Sequence, residues 1–192
     1  MKNLIKALLL VTVMVLASCE KESISDELTT ADLKTKASVA AQKSDETIAA
    51  IVGKNPEFTL LLAALEYAEI TYMFTGTDQF TVFAPTDAAF ESFIKDNTPN
   101  NRLSELNKQE VAAVLSYHVT DGRRFSNSVV PKNSPRQIET LLGPSFYVNS
   151  SRKIDTNDDD LLFTNATISK ANISASNGVI HVIDKVLVPA TN

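Results

Sequence analysis

The stretch that decides the fold is FTVFAPTDAAF, residues 80–90. Its first five residues are mostly aromatic or β-branched, which favours a short strand. Pro85 ends that strand, because proline cannot donate a hydrogen bond to a sheet ladder. Thr86 is a preferred N-cap residue, and Phe90 and Ile94 then fall on one face of the helix that it begins. The stretch therefore predicts a strand followed at once by an amphipathic helix.

Three further helices are predicted around this unit. Ser44, which precedes two acidic residues, is the expected N-cap of a short helix, and Asn55 before Pro56 begins a second. Asn107, followed three residues later by Glu110, resembles a capping box and begins a third. Apolar residues recur at helical spacing in each. In the second helix they are Phe58, Leu61, Leu62 and Leu65, and in the third Val111, Val114, Leu115 and His118.

The second half of the chain is typical of strands. Short β-like runs occur at residues 146–148, 161–163, 168 and 179–188. Asn177-Gly178 supplies a turn before the last run, in which alternate side chains from 180 to 188 are expected on opposite sides of a sheet, with Asp184 interrupting. Helices first and strands mostly later predict an α+β fold rather than alternating parallel βαβ units.

Three segments of the chain resemble the fasciclin (FAS1) domain family, in the family's order. They are FTVFAPTDAAF at 80–90, LSYHV at 115–119 and ASNGVIHVIDKVLVP at 175–189. The resemblance covers residues 45–190 and implies one FAS1-like β-sandwich or wedge flanked by several short helices.

The N-terminus is typical of a lipoprotein signal peptide over residues 1–18. Lys2 and Lys6 precede an apolar run of 11 residues, 7–17, whereas a bilayer-spanning helix needs about 20. LASC, residues 16–19, resembles a bacterial lipobox, so Cys19 is the expected lipidation site. The alternative is an ordinary signal peptide with an incidental cysteine. Two acyl chains suffice for a stable membrane anchor.

Residues 19–44 are predicted to be the acylated cysteine and a flexible tether. From position 20 to 44 they contain no aromatic residue, proline or glycine, so they have little to bury. The expected location is the cell envelope, lipid-anchored at the outer membrane. The acidic start at Glu20 favours surface display, and a periplasm-facing position stays open.

Composition excludes several classes of protein. The net charge of −5, without a run of basic residues, argues against a nucleic-acid partner. The single cysteine excludes an internal disulfide, so the domain depends on its hydrophobic core.

The sequence carries no recognisable catalytic frame, and we predict a protein that is not an enzyme, with no cofactor and no metal site. His118 and His181 are the only histidines, and neither belongs to an HxH or HExxH pattern. Both are expected to be structural, with satisfied hydrogen bonds. Residues 155–160, DTNDDD, fail as an EF-hand because Asp160 replaces the glycine at its sixth position and Ala166 the glutamate at its twelfth. A solvated hairpin loop is the favoured interpretation, with weak calcium binding as the alternative.

The resemblance implies a role in cell adhesion and extracellular matrix contact. Its Tyr-His motif corresponds to Tyr117-His118, and its Asp-Ile pair corresponds to Asn172-Ile173, where the carboxylate is lost. These four residues are the candidate partner-binding set; the alternative for Tyr117 and His118 is a place in the core. The expected partners are a membrane, through Cys19, and a protein or polysaccharide outside the cytoplasm. An envelope accessory lipoprotein that binds a glycan or small ligand is the alternative function.

Overall fold

The computed structural model describes residues 44–156 and 165–189. Within them the helices are α1 (Ile48–Lys54), α2 (Thr59–Tyr67), α3 (Asp87–Asn97), α4 (Lys108–Tyr117) and α5 (Ser126–Val129). Short 3-10 helices occupy Pro56–Phe58, Thr71–Phe74 and Leu103–Glu105. The strands are β1 (Phe80–Pro85), β2 (Val119–Asp121), β3 (Arg136–Glu139), β4 (Ser145–Val148), β5 (Lys153–Asp155), β6 (Ala166–Ala175) and β7 (Gly178–Ile183).

The strands form a seven-stranded sheet in the order β2-β1-β7-β6-β5-β4-β3. The first and last of the described strands, β1 and β7, are parallel neighbours with Phe80 opposite Gly178, and the other pairs among the described strands are antiparallel. The register between β6 and β7 shifts twice, before and after Lys170. The α+β class predicted from the sequence is confirmed.

The sheet folds back on itself into two layers. In β1, Val82 faces a core shared with the helices, whereas the next residue, Phe83, faces a second core formed with β3, β4 and β5. The rings of Phe83 and Phe146 lie 4.9 Å apart, although β4 is four places from β1 in the strand order. Such a contact requires the β3–β5 end of the sheet to cover the β1–β7 end, which is the predicted sandwich or wedge.

The stretch at 80–90 folds as predicted. Phe80–Pro85 is a fully buried strand, and the Thr86 side chain accepts a hydrogen bond from Ala89 N to cap α3. Asn55 likewise caps the 3-10 turn that leads into α2, and Asn107 caps α4 by accepting from Gln109 N and Glu110 N.

The predicted start of the first helix is wrong. Ser44 is not its N-cap; Thr47 is, and its side chain accepts from Ala50 N. Asp45 and Glu46 therefore precede the helix rather than forming its first turn. Ser44 and Thr47 are both preferred N-cap residues, so the local sequence does not distinguish them. A distant contact favours a start after Thr47, because Ile48 N donates to the buried side chain of Asn177 at 2.8 Å.

The predicted length of the last strand is also wrong. The strand ends at Ile183 rather than Val188, and both of its faces are buried. Asp184 exchanges backbone and side-chain hydrogen bonds with Thr167, and the chain then leaves the sheet. Leu187 therefore lies outside the strand, and its backbone amide contacts His118.

Some predictions fall outside the described residues: the signal peptide at 1–18, Cys19 and the tether up to residue 43, the run at 161–163, and residues 157–160. Between residues 44 and 189, apart from 157–164, no single helix has the length and hydropathy of a membrane span. Only Ile48–Lys54 and Pro56–Tyr67 taken together, with a bend of 98°, meet that criterion.

Candidate functional site

Tyr117 is the last residue of α4, and its side chain is completely buried. Its hydroxyl donates to the carbonyl oxygen of Ser145 at 2.9 Å, and its ring meets Phe146 edge-on at 5.9 Å. The phenol therefore connects α4 to β4 through the second core. This environment favours the core alternative for Tyr117 over a surface contact.

His118 directly follows Tyr117 and is 2% exposed. Its Nδ1 lies 2.7 Å from the carbonyl oxygen of Val114, to which it must donate, and its Nε2 accepts from Leu187 N at 2.8 Å. These two partners select the neutral tautomer with the proton on Nδ1. Burial lowers the pKa of His118 from 6.5 to about 4, against a smaller opposing effect of the Val114 carbonyl.

His181 lies in β7 and is also fully buried. Its Nε2 donates to the carbonyl oxygen of Arg124 at 3.0 Å, and its Nδ1 faces Asn172 N at 3.4 Å. Its ring lies 5.4 Å from that of Phe83. Burial lowers the pKa of His181, with the Arg124 carbonyl acting in the opposite direction. The prediction that both histidines are structural and satisfied is confirmed.

Asn172 lies in the irregular part of β6 with a φ of 66°, a left-handed conformation that asparagine tolerates better than most residues. Its Oδ1 accepts from Ser126 N at 2.7 Å and its Nδ2 donates to Ser126 Oγ at 2.9 Å. The exposed side chain thus holds the first residue of α5. The next residue, Ile173, is half-buried against the helical core.

The four candidate contact residues do not form one surface. Tyr117 belongs to the second core, His118 lines the interior beside the helices, and Ile173 packs on the helical core. Asn172 is the exposed member, and its neighbour is His181 rather than the Tyr-His pair. Their role in partner binding stays a prediction, and burial of Tyr117 and His118 means that they can act on a partner only through the fold.

Two polar residues, Asn177 and Asp87, make hydrogen bonds to distant parts of the chain that the sequence motifs did not predict. The Asn177 side chain, besides accepting from Ile48 N, donates to the carbonyl oxygens of Phe74 and Gly76 at 2.9 and 3.1 Å. Asp87 accepts from Leu60 N at 2.8 Å and from the Thr59 hydroxyl, so it caps α2 from the start of α3. Sequence offers only a weak signal for either, since their partners lie 27 to 129 positions away.

Metal chemistry finds no support in the described part of the chain, which contains no group of three or more histidine, cysteine or acidic residues placed to hold an ion. The expectation that residues 155–160 form a solvated hairpin loop is wrong for Asp155. This residue is the last of β5 and is only 2% exposed. The rest of the acidic run, residues 157–160, lies outside the described residues.

The interior leaves little space for a ligand. A cavity of about 10 Å³ lies among apolar side chains beside His118, at the lower limit for a single water. A larger open groove of about 320 Å³ runs between α3, α4 and the segment after β7. It is lined by Phe93, Asn97, Leu106, Glu110, Val111, Ala113, Val114, Val188 and Pro189.

Comparisons with known proteins agree on one family. The model of the Fasciclin domain matches residues 56–189. The chain is 31% identical over 163 residues to protein sll1483 of Synechocystis sp., covering 85% of this chain and 84% of that protein. It is also 31% identical over 152 residues to the immunogenic protein MPB70 of Mycobacterium bovis, covering 76% of this chain and 70% of that protein.

Larger proteins contain matching parts. Transforming growth factor-beta-induced protein ig-h3 of Sus scrofa is 29% identical over 148 residues, and this chain spans 20% of its length. Among solved structures, a FAS1 domain pair from the insect cell adhesion molecule fasciclin I matches with a TM-score of 0.57 at 15% identity. That match covers 74% of this chain and 51% of the pair, and it shows a shared fold.

Proposed function

Because this chain belongs to the fasciclin domain family, we propose that it is an envelope-anchored binding protein that mediates adhesion to extracellular matrix or to partner cells. The fold neighbour, which comes from an insect cell adhesion molecule, supports a role of this kind. Acylation of Cys19 would hold the domain on a membrane, and the tether would let it stand away from the lipid surface. The proposed location is the outer membrane, with the domain facing outward.

The observation that supports a binding role rather than catalysis is that the nitrogens of both histidines are occupied by hydrogen bonds. Each imidazole is buried, and each has both nitrogens within hydrogen-bond distance of a backbone partner. Neither imidazole therefore has a free nitrogen that could take a proton from a substrate, which a general base must do. This supports a binding role that the domain performs through its surface.

An attachment assay tests this function. Cells that lack the protein should attach less to matrix-coated surfaces or partner cells, and the wild-type gene should restore attachment. A Cys19→Ala chain should fail to restore it although the domain is still produced. Protease added to intact cells should degrade the domain. Unchanged attachment without the protein, or full protection from protease, would overturn the proposal.

A second candidate is an accessory lipoprotein that binds a small apolar ligand or glycan. The groove between α3 and α4 favours it, because about 320 Å³ is at the lower end of the range of ligand sites and its lining is mostly apolar. Val114→Trp on the groove wall should abolish such binding without affecting attachment. Loss of attachment in that variant would instead connect the groove to adhesion.

A further inference from the structure

The charges of the domain are divided between its two halves. Residues 44–117, which contain α1 to α4, carry 11 acidic and 4 basic side chains, a net charge of −7. Residues 118–192 carry 7 acidic and 8 basic side chains, a net charge of +1, and three of those acidic residues stand together at 158–160. The negative charge of the whole chain therefore comes from the helical half.

The positive charge is concentrated in one segment. Residues 122–138 contain Arg123, Arg124, Lys132 and Arg136 and no acidic residue. This segment includes α5, to which Asn172 of β6 is hydrogen-bonded, and the exposed Lys170 lies two residues before Asn172. We call Arg123, Arg124, Lys132, Arg136 and Lys170 the basic face.

The arginines of the basic face are held by neutral acceptors. Arg123 donates to the carbonyl oxygen of Ala175 and to Ser174 Oγ, both at 2.6 Å, and its guanidinium lies 5.2 Å from the centre of the Phe125 ring. Arg124 Nε donates to the Asp121 carbonyl oxygen at 3.0 Å, and Arg136 Nη1 to the Ser128 carbonyl oxygen at 2.7 Å. These bonds fix the side chains without neutralising them, so N–H groups of Arg124 and Arg136 are oriented in advance for an anion.

The surroundings of these charges suit a hydrated polymer better than a lipid surface. Apart from Phe125, the residues of the same segment include several hydroxyl and amide side chains, which are suited to sugar hydroxyls: Ser126, Asn127, Ser128, Asn133 and Ser134. Membrane-surface elements instead combine basic residues with exposed large apolar ones. The large exposed apolar residues of the described chain are Tyr72, Leu141 and Val188, and none belongs to the segment 122–138.

We propose that the basic face binds an anionic polysaccharide, one that carries carboxylate or sulfate groups. The inference rests on the proposed adhesive function and supplies the chemical class of its partner. Arginine guanidinium groups would donate paired hydrogen bonds to the carboxylate or sulfate groups. The neighbouring asparagine and serine side chains would contact the hydroxyls of the polysaccharide.

The test measures binding of the purified full chain, in detergent, to immobilised polygalacturonate, dextran sulfate and neutral dextran. The variant is Arg124→Gln with Arg136→Gln, and the matched control is Lys95→Gln with Arg102→Gln, which removes the same charge from the helical half. Polyanion binding should fall about ten-fold in the variant, because two charge-assisted contacts are lost, and stay unchanged in the control. Raising the salt concentration should weaken wild-type binding. Thermal unfolding of both variants checks that they fold.

Three results would overturn the inference. One is equal binding to neutral dextran and both polyanions, and another is an equal loss in variant and control. The third is a preference for phosphatidylglycerol over phosphatidylcholine vesicles that the variant removes, without polysaccharide binding, which would assign the face to a membrane. Attachment that persists in cells carrying the variant would sink this inference alone, whereas attachment that never depends on the protein would sink the adhesive function.

Discussion

The backbone amide of Leu187 donates a 2.8 Å hydrogen bond to Nε2 of His118, across 69 positions of sequence. With Nδ1 donating to Val114 O, the imidazole bridges the end of α4 and the segment that follows β7. A proton added to Nε2 would face the Leu187 N–H and break this bridge. The contact therefore depends on the neutral ring.

We expect the free energy of unfolding to fall as the pH is lowered from 6.5 towards 4. The unfolded chain protonates His118 near its ordinary pKa of 6.5, but the folded chain does so only near 4, so the unfolded state binds more protons in this window. The stabilisation present above pH 6.5 should decrease by about 2 kcal/mol at pH 5. His181, whose pKa is also lowered, acts in the same direction. Urea unfolding at pH 7 and pH 5 measures the change.

The matched variant for this prediction is His118→Gln. It should be less stable than wild type at pH 7 but should lose less stability between pH 7 and pH 5, while carboxylate titration is common to both proteins. An equally steep loss in the variant would show that His118 is not the titrating group.

Gly178→Ala should destabilise the domain strongly. A Cβ at this position would lie 2.0 Å from the carbonyl oxygen of Phe80 and 2.7 Å from Ile48 Cδ1, where parallel β1 and β7 begin their pairing. Because backbone must move, the cost should reach at least the upper end of the usual range for overpacking, about 3 kcal/mol. Thermal unfolding measures it. Gly76→Ala is the control, since nothing lies within 4 Å of its added Cβ; equal effects of the two substitutions would refute the argument.

Asp87→Ala should cost about 1–2 kcal/mol, the loss typical of a helix cap. The carboxylate accepts from Leu60 N and from the Thr59 hydroxyl, so one residue of α3 satisfies the first turn of α2. Asp87→Asn keeps one acceptor oxygen and should cost less. Asp96→Ala, on the exposed side of the same helix, should be nearly neutral in urea unfolding. A cost for Asp96→Ala equal to that for Asp87→Ala would mean that helix charge, not the cap, is responsible.

Local chemistry predicted much of this fold, and distant contacts decided the rest. The strand ending at Pro85 and the helix capped by Thr86 follow from adjacent residues, as does the Asn107 cap of α4. The parallel pairing of β1 with β7 joins residues about 100 positions apart, and no local pattern specifies it. Tyr117 and His118 were identified from a motif, but their burial follows from packing against β4 and the segment after β7.

Cys19→Ala should abolish incorporation of labelled palmitate and release the protein from the membrane fraction. The lipobox-like LASC at 16–19 offers one thiol, and the chain contains no other cysteine that could be acylated instead. Fractionation with mass spectrometry of the mature N-terminus measures both effects. An unmodified Cys19 in membrane-bound wild-type protein would contradict this prediction.

Asn177→Asp should be among the most damaging single-atom changes in the domain. The amide nitrogen of Asn177 donates to the carbonyl oxygens of Phe74 and Gly76, and Asn177 is 2% exposed. In the variant a carboxylate oxygen would replace this nitrogen and would face the two carbonyl oxygens. Leaving the buried Phe74 carbonyl oxygen and the partly buried Gly76 carbonyl oxygen without this donor, beside a new buried charge, should cost about 3 kcal/mol or more. The accepting contact to Ile48 N survives the change, so the loss reports the two donated bonds together with the buried charge. Asn133→Asp, in an exposed loop, adds the same charge and should be nearly neutral; urea unfolding that ranks the two substitutions as equal would show that Asn177 does not hold α1, the 3-10 turn at Thr71–Phe74 and the β6–β7 turn together.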